Sequence, residues 1–161
     1  MKRWEREGVV ELEDLKIPSE EHLRKGVAIT ECLQEIPCNP CVESCPVDAI
    51  SMETINDTPK VDYDKCIGCG NCVDACPGLA MFLVKVDGEK ALVTLPYEFL
   101  PVPEKGDRVK ALNREGMEIC DAVVKRIRRG RTLLVTIEVP AEYVMEARNI
   151  KVKILHKFRD I

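Results

Sequence analysis

Cysteine is the residue type whose spacing in this sequence could do chemistry. Eight of the nine cysteines fall between Cys32 and Cys76. Segment 66–77 reads C-x2-C-x2-C-x3-C-P, which places three thiols on one tight loop and a fourth at the start of the next turn. Such close spacing favours metal ligation over a framework of disulfides. It is the spacing of proteins that hold two iron–sulfur clusters, where the fourth cysteine ligates the other cluster.

The residues between these cysteines fit the same chemistry. Gly68 and Gly70 allow the backbone to curl around a cluster and to direct its N–H groups at the sulfurs. Pro77 offers no N–H and helps to turn the chain away. We predict an iron–sulfur site here; a zinc site and unliganded thiols are the alternatives.

The first half of the cysteine region is irregular. Segment 38–46 reproduces the last three cysteines and the proline, but Glu35 stands where the second half has Cys66. The nearest cysteine upstream is Cys32, which gives C-x5-C-x2-C-x3-C-P. We interpret Cys32 as the missing ligand, on a loop three residues longer. A vacant corner would instead give a three-iron cluster, and loss of the whole cluster would leave Cys32 as a small core residue.

Exchange of the fourth ligands between the halves defines two predicted sites. We expect two [4Fe-4S] clusters, with [3Fe-4S] as the alternative at the first. Cys120 lies far from the loops in sequence, and we expect it to be a buried thiol without a ligand role. The predicted ligands are Cys32, Cys38, Cys41 and Cys76 for cluster 1, and Cys66, Cys69, Cys72 and Cys45 for cluster 2.

The elements that must position these thiols divide the chain into three zones. Residues 1–26 form a charged segment with a short helix at 19–25, which Ser19 would cap. The cysteine zone, 27–90, contains a repeat of 31 residues, so its two halves should be related by a pseudo-twofold axis. Its expected strands are 27–30 and 60–63, and segments 47–53 and 79–86 complete the two halves.

The third zone, 91–161, changes to a β pattern. We predict a small β-barrel, with turns at 104–107, 113–116 and 129–130. Its expected strands are 91–97, 107–112, 131–139 and 150–155, with a short helix at 141–148.

Residues 27–83 resemble the bacterial 2[4Fe-4S] ferredoxin domain on the cysteine motifs above. This resemblance implies a βαββαβ fold that passes electrons between its clusters. We therefore expect an α+β fold class, with a ferredoxin-like two-cluster domain followed by a small β-barrel-like domain. The phrase ECLQEIPCNPC at 31–41 is similar to one in small iron–sulfur subunits of multi-subunit flavin dehydrogenases that act on amino acids such as proline, or on related small metabolites. That similarity implies flavin-containing dehydrogenase subunits as partners in a hetero-oligomer.

The composition of the chain and the absence of certain motifs disfavour several classes of function. The net charge of −4 gives no general attraction to nucleic acid or anionic lipid, and no apolar run approaches the ~20 residues of a membrane span. The N-terminus has no apolar secretory core, so we expect a cytoplasmic protein. No dinucleotide fingerprint, phosphate loop or nucleophile triad is visible, so we assign no catalytic residue. The basic segment 125–131 would be a solvated turn or a contact for an acidic partner subunit. Contact with RNA or DNA is the remaining alternative, which the absence of interleaved aromatic residues disfavours.

The leading hypothesis is an electron-transfer subunit of a flavin-dependent oxidoreductase, not catalytic by itself. A free carrier needs little beyond the cysteine zone, and the resembling residues are about a third of this chain. A freestanding ferredoxin with extensions is the first alternative. An interaction or nucleic-acid module with structural clusters is the second.

Overall fold

A computed structural model describes residues 1–153, and their main feature is a seven-stranded antiparallel sheet. The strand order is β1-β4-β5-β8-β7-β6-β9, and β2 pairs with β3 in a separate small sheet. The strands are β1 (Val27–Thr30), β2 (Ile50–Ser51), β3 (Lys60–Val61), β4 (Met81–Asp87), β5 (Lys90–Tyr97), β6 (Arg108–Leu112), β7 (Glu118–Arg129), β8 (Leu133–Pro140) and β9 (Asn149–Lys151). The α-helices are α1 (Arg3–Glu7), α2 (Glu20–Lys25), α3 (Pro40–Glu43) and α4 (Asn71–Ala75), with 3₁₀ turns at Leu12–Asp14 and Ala141–Tyr143.

The core of the large sheet is aliphatic, as the scarcity of aromatic residues requires. From Lys90 to Leu95 in β5, exposed or partly exposed positions alternate with buried ones, the pattern of a strand with one face on the core. Val93 on β5 and Val124 on β7 both lie opposite Ile137 on the central strand β8. All three side chains are fully buried. Branched aliphatic residues fit the pleated surface well, so they fill most of this core, to which Phe82 and Tyr97 add two buried aromatic rings.

The cysteine zone follows the order β1-α3-β2-β3-α4-β4, which is the βαββαβ order that the resemblance implied. Its first and last strands pair antiparallel, with Val27 opposite Val84, and its two middle strands pair with each other. The middle strands are only two residues long. The two halves of the cysteine zone therefore depend on the longer strands β1 and β4 to bury a core.

The predicted division at 90/91 and the predicted barrel are not confirmed. Strand β4 pairs with β5 from Asp87 opposite Lys90 to Leu83 opposite Thr94, so the cysteine zone and the C-terminal strands share one sheet. Among the described strands, β1 and β9 stand at the two ends of that sheet. The boundary falls inside a β-hairpin whose Asp-Gly pair, Asp87-Gly88, is itself a hairpin signal.

Other elements agree with the sequence predictions in part. The helix at 19–25 is confirmed: the Ser19 hydroxyl accepts from the backbone N–H of His22. The helix predicted at 141–148 is only a 3₁₀ segment, Ala141–Tyr143, followed by a turn. Strand β7 was missed, because its charged side chains obscure the alternation. The strand predicted at 150–155 ends at Lys151, and its last two residues lie outside the described part of the chain.

The N-terminal segment packs against the second half of the cysteine zone. The Lys25 ammonium donates to the carbonyls of Tyr63 and Asp64, at 2.9 and 2.8 Å. His22 Nε2 lies 2.7 Å from Asp64 Oδ1, and this contact lowers the pKa of the carboxyl group. Helix α2 therefore fixes the loop that leads into Cys66. Within residues 1–153, no helix has the length and apolar character needed to cross a membrane.

Truncation of Ile137 tests the importance of the shared sheet. We expect Ile137→Ala to cost about 2–5 kcal/mol of stability, because it leaves a cavity beside the fully buried side chains of Val93 and Val124. Thermal unfolding followed by circular dichroism, under anaerobic conditions, should show a clearly lower Tm. Lys125→Ala, at an exposed position on the neighbouring strand, is the control. Equal melting of the two variants would contradict this account of the core.

Candidate iron–sulfur site

The second cysteine loop, residues 66–72, has the tight curl that its two glycines indicate. Gly68 and Gly70 both have left-handed backbone angles, with φ of 67° and 83°, which side chains rarely tolerate. Gly70 then caps helix α4, which carries the buried Cys72. Cys69, between the two glycines, is exposed. Cys66, at the start of the loop, is buried as well, so the loop has two buried thiols and one exposed thiol.

A cysteine from the first half joins the three thiols of this loop. A small cavity lies under the loop, and apart from its cysteines it is lined mostly by aliphatic residues such as Ala28 and Leu83. Its cysteine lining consists of Cys45, Cys66, Cys69 and Cys72, the four predicted ligands of cluster 2.

The four predicted ligands of cluster 1 are also close together. The pKa of Cys32 is raised mainly by burial and, to a smaller extent, by the neighbouring thiols of Cys76 and Cys38. Burial, followed by Cys76, Cys32 and Cys38, raises the pKa of Cys41 to about 11. Cys32 therefore lies among the other three thiols in spite of its irregular spacing. Thiols with raised pKa values must lose their protons when they bind metal, so metal binding is coupled to proton release.

The two thiol groups meet at the interface between helices α3 and α4. Burial raises the pKa of Cys72 to about 12, and the contributing neighbours are Cys66, Cys69 and then Cys41 of the other group. Cys41 and Cys72 occupy equivalent positions on the two helices, which pack against each other. The internal repeat therefore brings the two predicted sites side by side.

Backbone N–H groups donate to three of the sulfurs. Ala49 N lies 3.2 Å from Cys45 Sγ, and Ala80 N lies 3.4 Å from Cys76 Sγ. These contacts are equivalent in the 31-residue repeat. Ala28 N adds a third such contact, at 3.3 Å from Cys66 Sγ. Hydrogen bonds to the sulfurs are among the features that set the potential of an iron–sulfur cluster.

The donor set fits clusters better than one ion. Each thiolate of a cubane binds a different iron, so its four sulfurs need not converge on one point. In residues 1–153, no group of three or more His, Cys, Asp or Glu side chains has the geometry to hold a single metal ion. All-thiol donors, aliphatic walls and N–H groups directed at sulfur together suit an iron–sulfur cluster.

Comparison with known proteins supports this chemistry. Residues 36–80 match the family model of the 4Fe-4S dicluster domain. An uncharacterized ferredoxin of Methanocaldococcus jannaschii is 31% identical over 115 residues, which are 71% of this chain and 75% of that protein. The chain belongs to the ferredoxin family. The dicluster match gives no support to the three-iron alternative, but it begins after Cys32, so it does not test that ligand.

Two further relatives are much longer than the shared region. The β subunit of a dissimilatory-type sulfite reductase of Archaeoglobus fulgidus is 40% identical over 77 residues, which are 48% of this chain and 19% of that protein. The polyferredoxin-like subunit of an aliphatic sulfonate oxidoreductase of Pyrococcus furiosus is 38% identical over 74 residues, 46% of this chain and 42% of that protein. This ferredoxin therefore spans less than half the length of either relative. No solved structure matches the chain significantly.

The β7–β8 hairpin of this ferredoxin folds onto the second cysteine loop, a contact that the sequence did not predict. The guanidinium of Arg128 donates to the Cys69 carbonyl, at 3.0 Å, and to the Asn71 side chain, at 3.1 Å. The N–H of Thr132 donates to Asp74 Oδ1, at 3.2 Å. Arg128 had been expected to be solvated or to contact a partner. No local pattern marks it, because its partners lie more than fifty residues away in the sequence.

A cluster of buried charges beside Cys32 was likewise not predicted from the sequence. Glu31 lies between Arg114 and Arg148, and the three side chains are 8%, 9% and 4% exposed. Desolvation lowers the pKa of Arg148, and Glu31 opposes that shift by holding the guanidinium charged. Breaking such a buried pair is costly, because the remaining charge is left without a partner. The charges therefore tie the start of the first cysteine loop to the C-terminal strands.

Cys120 takes no part in either thiol group. It lies on β7 opposite Ala111 and is partly buried, and burial is the main cause that raises the pKa of its thiol. This placement agrees with the expectation of a packing role, although the thiol is less buried than expected.

A matched pair of glycine substitutions tests the hairpin contact. A Cβ at Gly130 would overlap the Asp74 carboxylate, whereas a Cβ at Gly78 meets nothing within 4 Å. We expect Gly130→Ala to displace the hairpin and to cost about 1–3 kcal/mol, the usual effect of overpacking. Its Tm should fall and its visible absorption should bleach faster in air. Gly78→Ala should behave like the parent protein, and equal effects of both changes would contradict the contact.

Proposed function

We propose that this ferredoxin is the iron–sulfur subunit of a multi-subunit, flavin-dependent oxidoreductase, in which it relays single electrons. The observation that carries the proposal is the placement of two thiol groups side by side across α3 and α4, with one group reaching the surface at Cys69. The clusters would supply one-electron redox chemistry when bound. The protein's own contribution is to position the thiols, to shield most of them and to expose one edge.

We assign the ligands in the two sets that the repeat predicts. The first set is Cys32, Cys38, Cys41 and Cys76, and the second is Cys66, Cys69, Cys72 and Cys45. The shared cavity supports the second set. The mutual effects of the thiols on their pKa values support the first. With these sets, the eight cysteines of the loops fill two cubanes.

The surface around Cys69 supports contact with a protein partner. Ile67 and Val47 both line the cavity that contains the second thiol group, and their side chains are 59% and 36% exposed. Three exposed arginines lie on the hairpin that reaches this loop through Arg128. An exposed apolar patch with positive charges beside it suits binding to a protein partner, because the charges can attract an acidic partner before the apolar surfaces meet. The exposed arginines are Arg126, Arg129 and Arg131.

The flavin in this proposal rests on electron counting and on the similarity of segment 31–41 to subunits of flavin dehydrogenases. A flavin can accept two electrons from a substrate and release them one at a time, whereas iron–sulfur centres exchange single electrons. Two of the relatives are named as oxidoreductase subunits, which supports the coarser assignment to such a complex. The proposed compartment is the cytoplasm, because cysteines spaced for metal ligation, and not for disulfides, suit a reducing environment.

A freestanding electron carrier is the second candidate. The M. jannaschii relative is named as a ferredoxin and is covered over 75% of its length, which favours this reading. A free carrier would be isolated as a monomer and would reduce several unrelated acceptors. A subunit would be isolated with defined partner chains.

Iron content and the Cys32→Ser variant test the ligand sets. We expect close to eight irons per chain in anaerobically prepared protein, since two cubanes contain four irons each. Cys32→Ser should lose one cubane or convert it to a three-iron cluster, while the other cubane survives. Iron analysis and electron paramagnetic resonance after stepwise reduction would measure this. Cys120→Ser is the control and should keep both clusters; two intact cubanes in Cys32→Ser would exclude that ligand.

Affinity purification of the tagged chain from its source tests the subunit assignment. We expect a flavoprotein to co-purify, and the ferredoxin alone to show no dehydrogenase turnover with amino-acid substrates. Arg129→Glu should weaken the complex several-fold and make its stability less sensitive to salt, because it reverses a charge beside the exposed loop. Lys105→Glu, an equal reversal in the exposed turn at 104–107, is the matched control. A monomer without partners would favour the free carrier, and turnover by the isolated chain would contradict the proposal.

A further inference from the structure

Glu31 connects the two residues that complete the first thiol group, Cys32 and Cys76. It directly precedes Cys32 in the chain. Its backbone N–H donates to the Ala80 carbonyl, at 2.8 Å. The N–H of Ala80 in turn donates to Cys76 Sγ, at 3.4 Å. Any force that holds Glu31 therefore acts on two of the four thiols of the first group.

Two buried arginines hold the Glu31 carboxylate. Arg114 approaches it with two nitrogens: Nη2 is 2.6 Å from Oε1, and Nε is 3.2 Å from Oε2. Arg148 Nε donates to the same Oε1, at 2.7 Å. Arg148 is itself fixed by donation to the carbonyls of Val144 and Ala147 and by contact with the ring of Phe82. Arg148 is therefore held beside the start of the loop by contacts other than Glu31, and the carboxylate joins Arg114 to it.

The internal repeat supplies a built-in comparison at Asp62, which is 31 residues after Glu31. Its backbone makes the equivalent link: Asp62 N donates to the Ala49 carbonyl, at 2.7 Å, and Ala49 N donates to Cys45 Sγ. Its side chain differs, because it is exposed and accepts from the N–H groups of Asp64 and Lys65. This local turn leads into Cys66, whose N–H donates to the Asp62 carbonyl, at 3.0 Å.

The first half of the cysteine zone has no room for an equivalent turn between its carboxylate and its upstream thiol. Its upstream thiol is Cys32, which directly follows Glu31, whereas Cys66 lies four residues after Asp62. A carboxylate at this position thus cannot organise the approach to its thiol through a turn. The arginines of the C-terminal region occupy the place of those local contacts.

We propose that Arg114 and Arg148 act through Glu31 as positioning residues for Cys32, and that this buried charge cluster sets the potential of the first site apart from that of the second. The proposal rests on the ligand sets given above. Buried charges are weakly screened, so they act on a nearby redox centre more strongly than surface charges. A cation beside a cluster favours the reduced form, and an anion favours the oxidised form.

Charge-changing variants of the holoprotein test the effect on potential. We expect Glu31→Gln to raise the midpoint potential of the first cluster and Arg114→Met to lower it, each by about tenfold in the reduction equilibrium, or about 59 mV for one electron. The double variant Glu31→Gln/Arg114→Met should return near the parent value, while the second cluster keeps its potential throughout. Anaerobic redox titration with paramagnetic resonance distinguishes the two sites.

A second measurement tests positioning. Glu31→Asp keeps the charge but shortens the side chain, so the first cluster should keep its potential approximately and convert to a three-iron form several-fold faster on oxidation. Asp62→Asn, at the equivalent position of the repeat, should leave both properties of the first cluster unchanged. Arg114→Lys, which keeps the charge, should restore most of the potential lost in Arg114→Met.

The proposal is overturned if Glu31→Gln and Arg114→Met shift the first potential in the same direction, if both clusters shift equally, or if neither shifts. If Glu31→Gln does not fold, Arg114→Met and Arg114→Lys decide, because a purely structural role predicts no recovery of the potential with lysine. Failure of the ligand assignment is distinguishable: Cys32→Ser would then retain two intact cubanes in the otherwise unchanged chain.

Discussion

The pairing of β1 with β4 is the interaction on which the rest of the structure depends. Strand β1 leads directly to Glu31 and Cys32, and β4 begins soon after Cys76. Their antiparallel register, with Thr30 opposite Met81, brings the two ends of the cysteine zone together. Without it, Cys76 would not be held near Cys32, which lies more than forty residues earlier in the chain. The two-residue strands β2 and β3 could not hold these ends together.

Strand β4 also joins the cysteine zone to the larger sheet. One edge of β4 pairs with β1, and the other pairs with β5, so the same backbone serves both regions. Two side-chain contacts strengthen this connection. Arg128 binds the second cysteine loop through the Cys69 carbonyl, and Arg114 and Arg148 hold the residue before Cys32. The C-terminal strands thus support both cysteine loops.

The two loops are alike in backbone and different in electrostatics. Equivalent alanine N–H groups donate to Cys45 and Cys76, as the repeat requires. The carboxylates of Glu31 and Asp62, at equivalent positions, have different surroundings: one is buried between cations and the other is exposed to water. A repeat of backbone geometry can in this way carry two redox sites with unequal potentials, because the potential responds to charge and exposure as well as to the ligands.

The sequence by itself determined the local features of this protein. Ligand spacing, the glycine turn at Gly68 and Gly70, the capped helix at 19–25 and most strands depend on neighbouring residues, so their signals lie in short segments. The similarity of residues 27–83 to ferredoxins also follows from such segments. Strand β7 escaped prediction because its alternation is masked by charge, and the pairing of β4 with β5 continues across position 90/91.

Only the tertiary structure decided which distant residues meet. Glu31 contacts Arg114 and Arg148 across 83 and 117 positions, and Arg128 reaches Cys69 across 59. In the sequence these residues look like ordinary solvated charges, because burial depends on the pairing of strands and not on local composition. The same holds for Cys32: its spacing made it a candidate ligand, but its place beside Cys76 results from the β1–β4 register. Long-range pairing sets the environment of a charge, and a single sequence carries no local signal of it.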